Sequence, residues 1–223
     1  MKKIVLVLMF LILSSSVAHA SDAYEMEFSK AEKYQKKVME MGFGILNANR
    51  IDKRVVFRFW KDKNVNAFAY SGDKSVYVFS GIMPYIDDDN ELAGLLSHEI
   101  AHNVDFHEGF WRTVAMAWTP KKYEEKADLK AVDYMVKAGY DPVGFITVMN
   151  KISGQGKCST HPLTSKRMAS IYEHIYQKYP AYLADNSYKT NIYYQNFLLT
   201  SKKDRQKIRE KSLINVSNKK SKK

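Results

Sequence analysis

LLSHEIAH, residues 95–102, sets two histidines four apart with a glutamate directly after the first, inside a run that otherwise reads as the interior of a buried helix. Four residues turn an α-helix through about 400°, so His98 and His102 project from one face a single turn apart and are placed to grip one ion. Glu99 lies about 100° round from His98, near enough to reach a water on that ion without being a ligand itself. The apolar flanks imply burial, where an imidazole pair beside a carboxylate is costly unless something pairs with it. Just upstream, Asp88-Asp89-Asn90-Glu91 is a capping signature that starts the helix carrying LAGLLSHEIAHNV.

The neighbouring segments give that helix its setting. Ser29-Lys30-Ala31-Glu32 is a capping box, and the mostly helix-favouring run behind it predicts a first helix to about Asn47. Arg54–Trp60, Asn66–Tyr70 and Val76–Phe79 are short valine- and aromatic-rich runs separated by KDKN and SGDK, which predict a small antiparallel sheet. Thr119-Pro120 supplies a cap with proline at the first helical position, for a helix that Gly139 ends. Asp141-Pro142 starts another, to about Ile152, and a last one runs from about Ser165 to Tyr179. Between these two, the loop Ser153–Thr164 has two glycines and many small polar residues, and it carries Cys158 and His161. The order predicts an α+β fold, mainly helical with a small antiparallel sheet.

A catalytic zinc takes three protein ligands and keeps one position open. The extended pattern HExxHxxGxxH does not supply the third, because Asp105 and Glu108 stand where its glycine and last histidine belong. His107 is close but out of that register. The better source is YEEKAD, with Glu124, Glu125 and Asp128. Glu124 and Asp128 are one turn apart, so one can bind the metal while the other accepts a hydrogen bond from the far nitrogen of a ligating histidine. Glu125 with Asp128 could nearly do the same, and spacing alone does not choose between them.

Composition bounds the rest. MKKIVLVLMFLILSSSVAHA, residues 1–20, has two lysines, a short apolar run and an Ala-His-Ala end, the pattern of a cleaved secretory signal. Its apolar run is shorter than the roughly 20 residues that span a bilayer. The expected mature chain, 21–223, is large enough for one domain with a real core, placed at 21–200. Cys158 is the only cysteine, so an exported chain would be held by packing or by a metal rather than by an internal disulfide. Of the formal net charge of +11, residues 201–223 carry +8, with ten Lys/Arg against Asp204 and Glu210, while 21–200 carry only +1. That excludes a basic nucleic-acid-binding surface on the body and predicts a basic, disordered tail, with a solvated helix from Lys202 to Ile214 as an option. Such a tail reads as a solubility device, with weak attraction to anionic membrane or envelope polymers, or to an acidic partner, as the alternative.

These residues resemble the HtpX-like and CAAX-protease-like zinc metallopeptidases, gluzincins, in their soluble exported bacterial branch. The resemblance runs in order from Asn66-Ala67-Phe68 through Ser80-Gly81-Ile82-Met83, Asn90-Glu91-Leu92-Ala93 and His98-Glu99-Ile100-Ala101-His102. It continues with Glu124-x-x-Ala127-Asp128, Ala138-Gly139-Tyr140-Asp141-Pro142 and Ser159-Thr160-His161-Pro162 with Arg167. It covers about residues 30–180.

The resemblance implies one Zn2+ held by His98, His102 and Glu124, with Asp128 supporting a ligand and His161 and Arg167 lining the active site. It implies hydrolysis of peptide bonds in unfolded or misassembled exported proteins, and a periplasmic place, with release from the cell as the alternative. In that chemistry Glu99 is the general base, and His161 or Arg167 helps the developing oxyanion. His161 has a second reading, in which the loop swings it onto the open metal position and closes the enzyme. The strand Asn66-Ala67-Phe68 reads as an edge to which an extended substrate pairs. Departures are the 21 residues between His102 and Glu124, fewer than in many members, SGDK in place of a double glycine, and Asn103–Phe106; none touches an expected ligand. The competing function is a chaperone-like peptide-binding protein with low or gated turnover.

Overall fold

The computed structural model describes residues 29–70, 72–106, 120–153 and 164–220. The signal, His107, Thr119, Cys158 and His161 lie outside them. The chain divides into two compact units, Met1–Lys37 and Val38–Lys223. In the first, the described residues are the opening turns of α1 (29–48), where Lys30 sits over the Tyr34 ring.

The second unit is built on α2 (Asp89–Ala101). Asp88 caps it, its side chain accepting from the Glu91 amide at 3.0 Å. Every residue from Glu91 to Ala101 is buried, so the helix is an axle of the core rather than an amphipathic surface element. Packed on it are α3 (Pro120–Lys137), α4 (Val143–Ser153) and the strand Ala67–Tyr70. Gly94 permits the α2–α4 approach: a Cβ there would stand 2.7 Å from Phe145 Cβ and 2.9 Å from Phe145 Cα. After Ala101 the chain widens into one π-helical turn, His102–Phe106, and Lys53 Nζ donates to the Val104 carbonyl that this turn presents. Widened turns of this kind recur at functional sites.

Helix α3 ends as its sequence predicts. Gly139 takes φ +82°, and Tyr140 N–H reaches back to the Met135 carbonyl at 3.0 Å, closing the turn. Asp141 then caps α4 through the Val143 amide. Thr164 caps α5 (Ser165–Lys178), followed by a short α6 (Ala181–Ala184), α7 (Ile192–Thr200) and α8 (Lys202–Lys220).

The class is α+β and mainly helical, as expected, but the sheet is mixed rather than antiparallel throughout. Its order is β1 (Val56–Trp60), β3 (Ser75–Phe79), β2 (Ala67–Tyr70), with β2–β3 antiparallel and β1–β3 parallel. The four-residue link from β2 to β3 allows only a hairpin. The 61–66 link instead carries the chain past the end of the sheet, leaving a slot that β3 fills. Bonds from Ser80 Oγ and the Gly81 amide to the Asp62 carbonyl, and from the Phe79 amide to the Asn66 carbonyl, pin that link. The basic C-terminal stretch, expected as a disordered tail with a helix from Lys202 to Ile214 as the option, is helical over Lys202–Lys220 and lies along α5. Arg205 and Arg209 find rings and a carboxylate there, which a purely solvated tail would lack.

Candidate metal centre

Two adjacent helices build the centre. From α2 come His98 and His102, with 4% and 3% of their surface exposed, their Nε2 atoms 3.1 Å apart. From α3 comes Glu124, whose Oε1 is 3.2 Å from His102 Nε2 and whose Oε2 is 3.6 Å from His98 Nε2. The three donor atoms lie within 4.8 Å of one another. Ligands about 2.0–2.1 Å from a tetrahedral zinc stand about 3.3 Å apart, so the trio already has the right mutual spacing. Glu125, one residue on, is exposed and accepts from Ser170 Oγ instead; the side of α3 that faces α2 is Glu124's.

Asp128, fully buried one turn along α3, stands 3.0 Å from His98 Nδ1. A carboxylate there fixes the tautomer that leaves the Nε2 lone pair pointing at the cation. Arg167, from the first turn of α5, holds both acids. Its Nε and Nη2 each donate to Asp128 at 2.7 Å, and its Nη1 lies 2.9 Å from Glu124 Oε2.

The electrostatics suit a dication. With the carboxylates ionised, Glu99, Glu124 and Asp128 bring three buried negative charges against the one positive charge of Arg167. The excess is visible at His98. Burial opposes a charge on its ring, yet Asp128, Glu124 and then Glu99 outweigh that and raise its pKa to about 9. Asp128 is displaced the other way: burial would raise its pKa, but Arg167 and His98 hold it below the usual carboxylate range. A pocket that favours a proton this strongly stabilises positive charge, and its three converging lone-pair donors fit zinc.

The structure thus brings together His98, His102, Glu124, Asp128 and Arg167, with Glu99 buried on the same helix. Asn66-Ala67-Phe68 lies at the start of β2, an edge strand packed against α2; Phe68 stacks on Tyr77 at 5.0 Å. The three-pronged hold of Arg167 on Glu124 and Asp128 is the feature sequence reasoning missed. Arg167 is 39 residues beyond Asp128, and no periodicity spans that separation.

Residues 29–118 and 109–175 match the family described as Peptidase family M48. The chain is similar to the beta-barrel assembly-enhancing protease of Escherichia coli (strain K12), 22% identical over 183 residues that cover 61% of this chain and 37% of the relative. It is also similar to the mitochondrial metalloendopeptidase OMA1 of Schizosaccharomyces pombe, 31% identical over 150 residues that cover 51% of this chain and 44% of the relative. The chain spans less than half the length of either.

Proposed function

The chain belongs to peptidase family M48, and on that premise we propose that it is a zinc-dependent endopeptidase of exported proteins, with residues 21–200 as its peptidase domain. The observation that carries this reading is the buried convergence of His98 Nε2, His102 Nε2 and a Glu124 carboxylate oxygen within 4.8 Å. When bound, zinc supplies Lewis acidity to a water and to the scissile carbonyl.

The chain's own residues do the rest. His98, His102 and Glu124 hold the cation. Asp128 orients the His98 ring through Nδ1, and Arg167 holds Asp128 and Glu124 in register, as a positioning residue acting through both acids. Glu99 accepts a proton from the attacking water and returns it to the departing amine nitrogen. Along the outer edge of β2 (Ala67–Tyr70), an edge strand of the sheet, backbone groups pair with an extended substrate, which gives affinity with little sequence reading. Substrates are unfolded or misassembled polypeptides. The resemblance to an assembly-enhancing protease and the signal-like residues 1–20 support a periplasmic place. Among the described residues, no helix is long and apolar enough to cross a membrane.

The test is zinc content and casein cleavage of the purified chain, with and without a chelator, beside Glu99→Gln and Glu124→Gln. The expected outcome is one zinc per chain and chelator-sensitive cleavage in the parent, zinc without cleavage in Glu99→Gln, and loss of both in Glu124→Gln. A parent that binds casein and zinc without cutting is the chaperone-like alternative; a Glu99→Gln variant that still cuts refutes the assignment.

A further inference from the structure

Helix α8 is divided lengthwise by charge type. At about 100° per residue, Asp204, Arg205, Ile208, Arg209 and Ser212 share one side, and all are partly covered. Against them stands α5. Arg209 makes two 2.9 Å bonds to Glu173 and lies 4.2 Å from the Tyr176 ring centre, Arg205 lies 4.5 Å from that of Tyr172, and Ser165 donates to Asp204. Both arginines of the segment are thereby used inward.

The lysines face the other way. Lys202, Lys203, Lys207 and Lys211 are all exposed, over about half the helix circumference. The single acid among them, Glu210, accepts from Gln206 at 3.0 Å. At the far end of this same side are Leu213 and Ile214, 66% and 58% exposed. A solubility device has no need of two large apolar side chains among its lysines, and a polyanionic polymer gives them nothing to enter. An anionic bilayer satisfies both chemistries: headgroup phosphates for the ammonium groups and the acyl boundary for leucine and isoleucine.

We infer that the lysine face of α8 is a docking surface for anionic phospholipid bilayers. The helix lies in the interface plane, seated on α5, and the metal centre is on the far side. On α5, Arg167 projects roughly opposite Tyr172, Glu173 and Tyr176, so two helix layers, about 20 Å, separate the bilayer from the metal ligands. Docking therefore leaves the centre open to chains above the membrane surface.

Co-sedimentation of the full chain with phosphatidylglycerol/phosphatidylcholine vesicles, beside phosphatidylcholine alone and soluble polyphosphate, tests this. The parent should partition onto the anionic vesicles only, and release as sodium chloride is raised from about 0.1 to 0.5 M. Replacing Lys202, Lys203, Lys207 and Lys211 together with Gln should lower that partitioning by two to three orders of magnitude. Leu213→Gln with Ile214→Gln should lower it about ten-fold or more while keeping the salt dependence. Circular dichroism and melting should match the parent in both variants, since all six side chains are exposed. Partitioning that survives the lysine replacements overturns the inference. So does an apolar double variant that binds as well as the parent while polyphosphate competes fully, which is the signature of a polymer-binding face.

Discussion

Lys151→Met should destabilise the fold severely and in a pH-dependent way. Lys151, on α4, is 4% exposed, and its ammonium donates to Glu91 Oε1 and Asp87 Oδ2 while lying 5.7 Å from the Tyr193 ring centre. Glu91 is wholly buried on α2, where its other oxygen accepts from the Asp87 amide at 2.7 Å. Removing one member of a buried ion pair while leaving the other charged costs about 3–5 kcal/mol. In a domain of this size that lowers the melting temperature by about 6–20 °C at pH 7. Burial, the largest influence on Glu91, already holds its pKa above the ordinary 4.5 despite Lys151, and the substitution raises it further. A carboxyl with a raised folded pKa favours the fold most when protonated, so stability is greatest below its unfolded value and falls as pH climbs. The deficit of the variant should thus shrink near pH 4 and widen to pH 7 when followed by thermal melts across that range. Asp87→Asn is the control: its carboxylate side chain is 67% exposed, and less than about 1 kcal/mol should be lost. A Lys151→Met protein melting within about 2 °C of the parent at pH 7, or with a deficit flat in pH, would refute the reasoning.

Three further outcomes follow from other parts of the fold. Gly94→Ala drives a Cβ to 2.7 Å from Phe145 Cβ and should cost about 1–3 kcal/mol in urea unfolding, because α2 and α4 must separate to admit it. Asp128→Asn removes the charge that faces His98 Nδ1 and takes two of the three Arg167 bonds; zinc affinity by chelator competition should fall about 10–100-fold. Burial, helped by Asp88, pushes the Asp141 carboxyl up to about 6. The parent should therefore lose stability relative to Asp141→Asn as pH rises from about 4 to above 6, measured by paired denaturant titrations.

The parts of the site legible in the sequence are those carried by one helix at a time. The i, i+4 histidines with their glutamate and the Asp88 cap specify α2 by local rules, as Gly139 and Asp141 specify the junction of α3 and α4. Choosing Glu124 over Glu125 needs the rotation of α3 against α2, which a contact across the core decides. The parallel β1–β3 pair was hidden for a related reason: three short strands with short links read as a meander, and only bonds from residues 79–81 back to 62 and 66 show the slot. Seating of α8 on α5 did leave a trace. Tyr172 and Tyr176 are spaced like Arg205 and Arg209, four apart, so two helices can zip ring to guanidinium. Charge composition alone, read as a solvated tail, conceals that match.

Helix α2 carries buried acid at both ends, and the difference in compensation separates structure from chemistry. At its start, Glu91 meets Lys151 at hydrogen-bond distance, so charge is closed locally and the pair locks α2 to α4. Eight residues on, about 12 Å along the axis, Glu99 is buried too, and the facing Glu124 and Asp128 meet Arg167 as their charged partner. Were a lysine to enter this second cluster as Lys151 enters the first, the excess would be closed and the donors on His98, His102 and Glu124 would face a fixed ammonium. Arg167 avoids that by its shape: a planar fork spends its three nitrogens on the outer sides of two carboxylates and leaves the inner donors converging on one point. The fold thus keeps an excess of acid over Arg167 inside its core, which a proton on His98 offsets in part and which suits the converging donors to a dication.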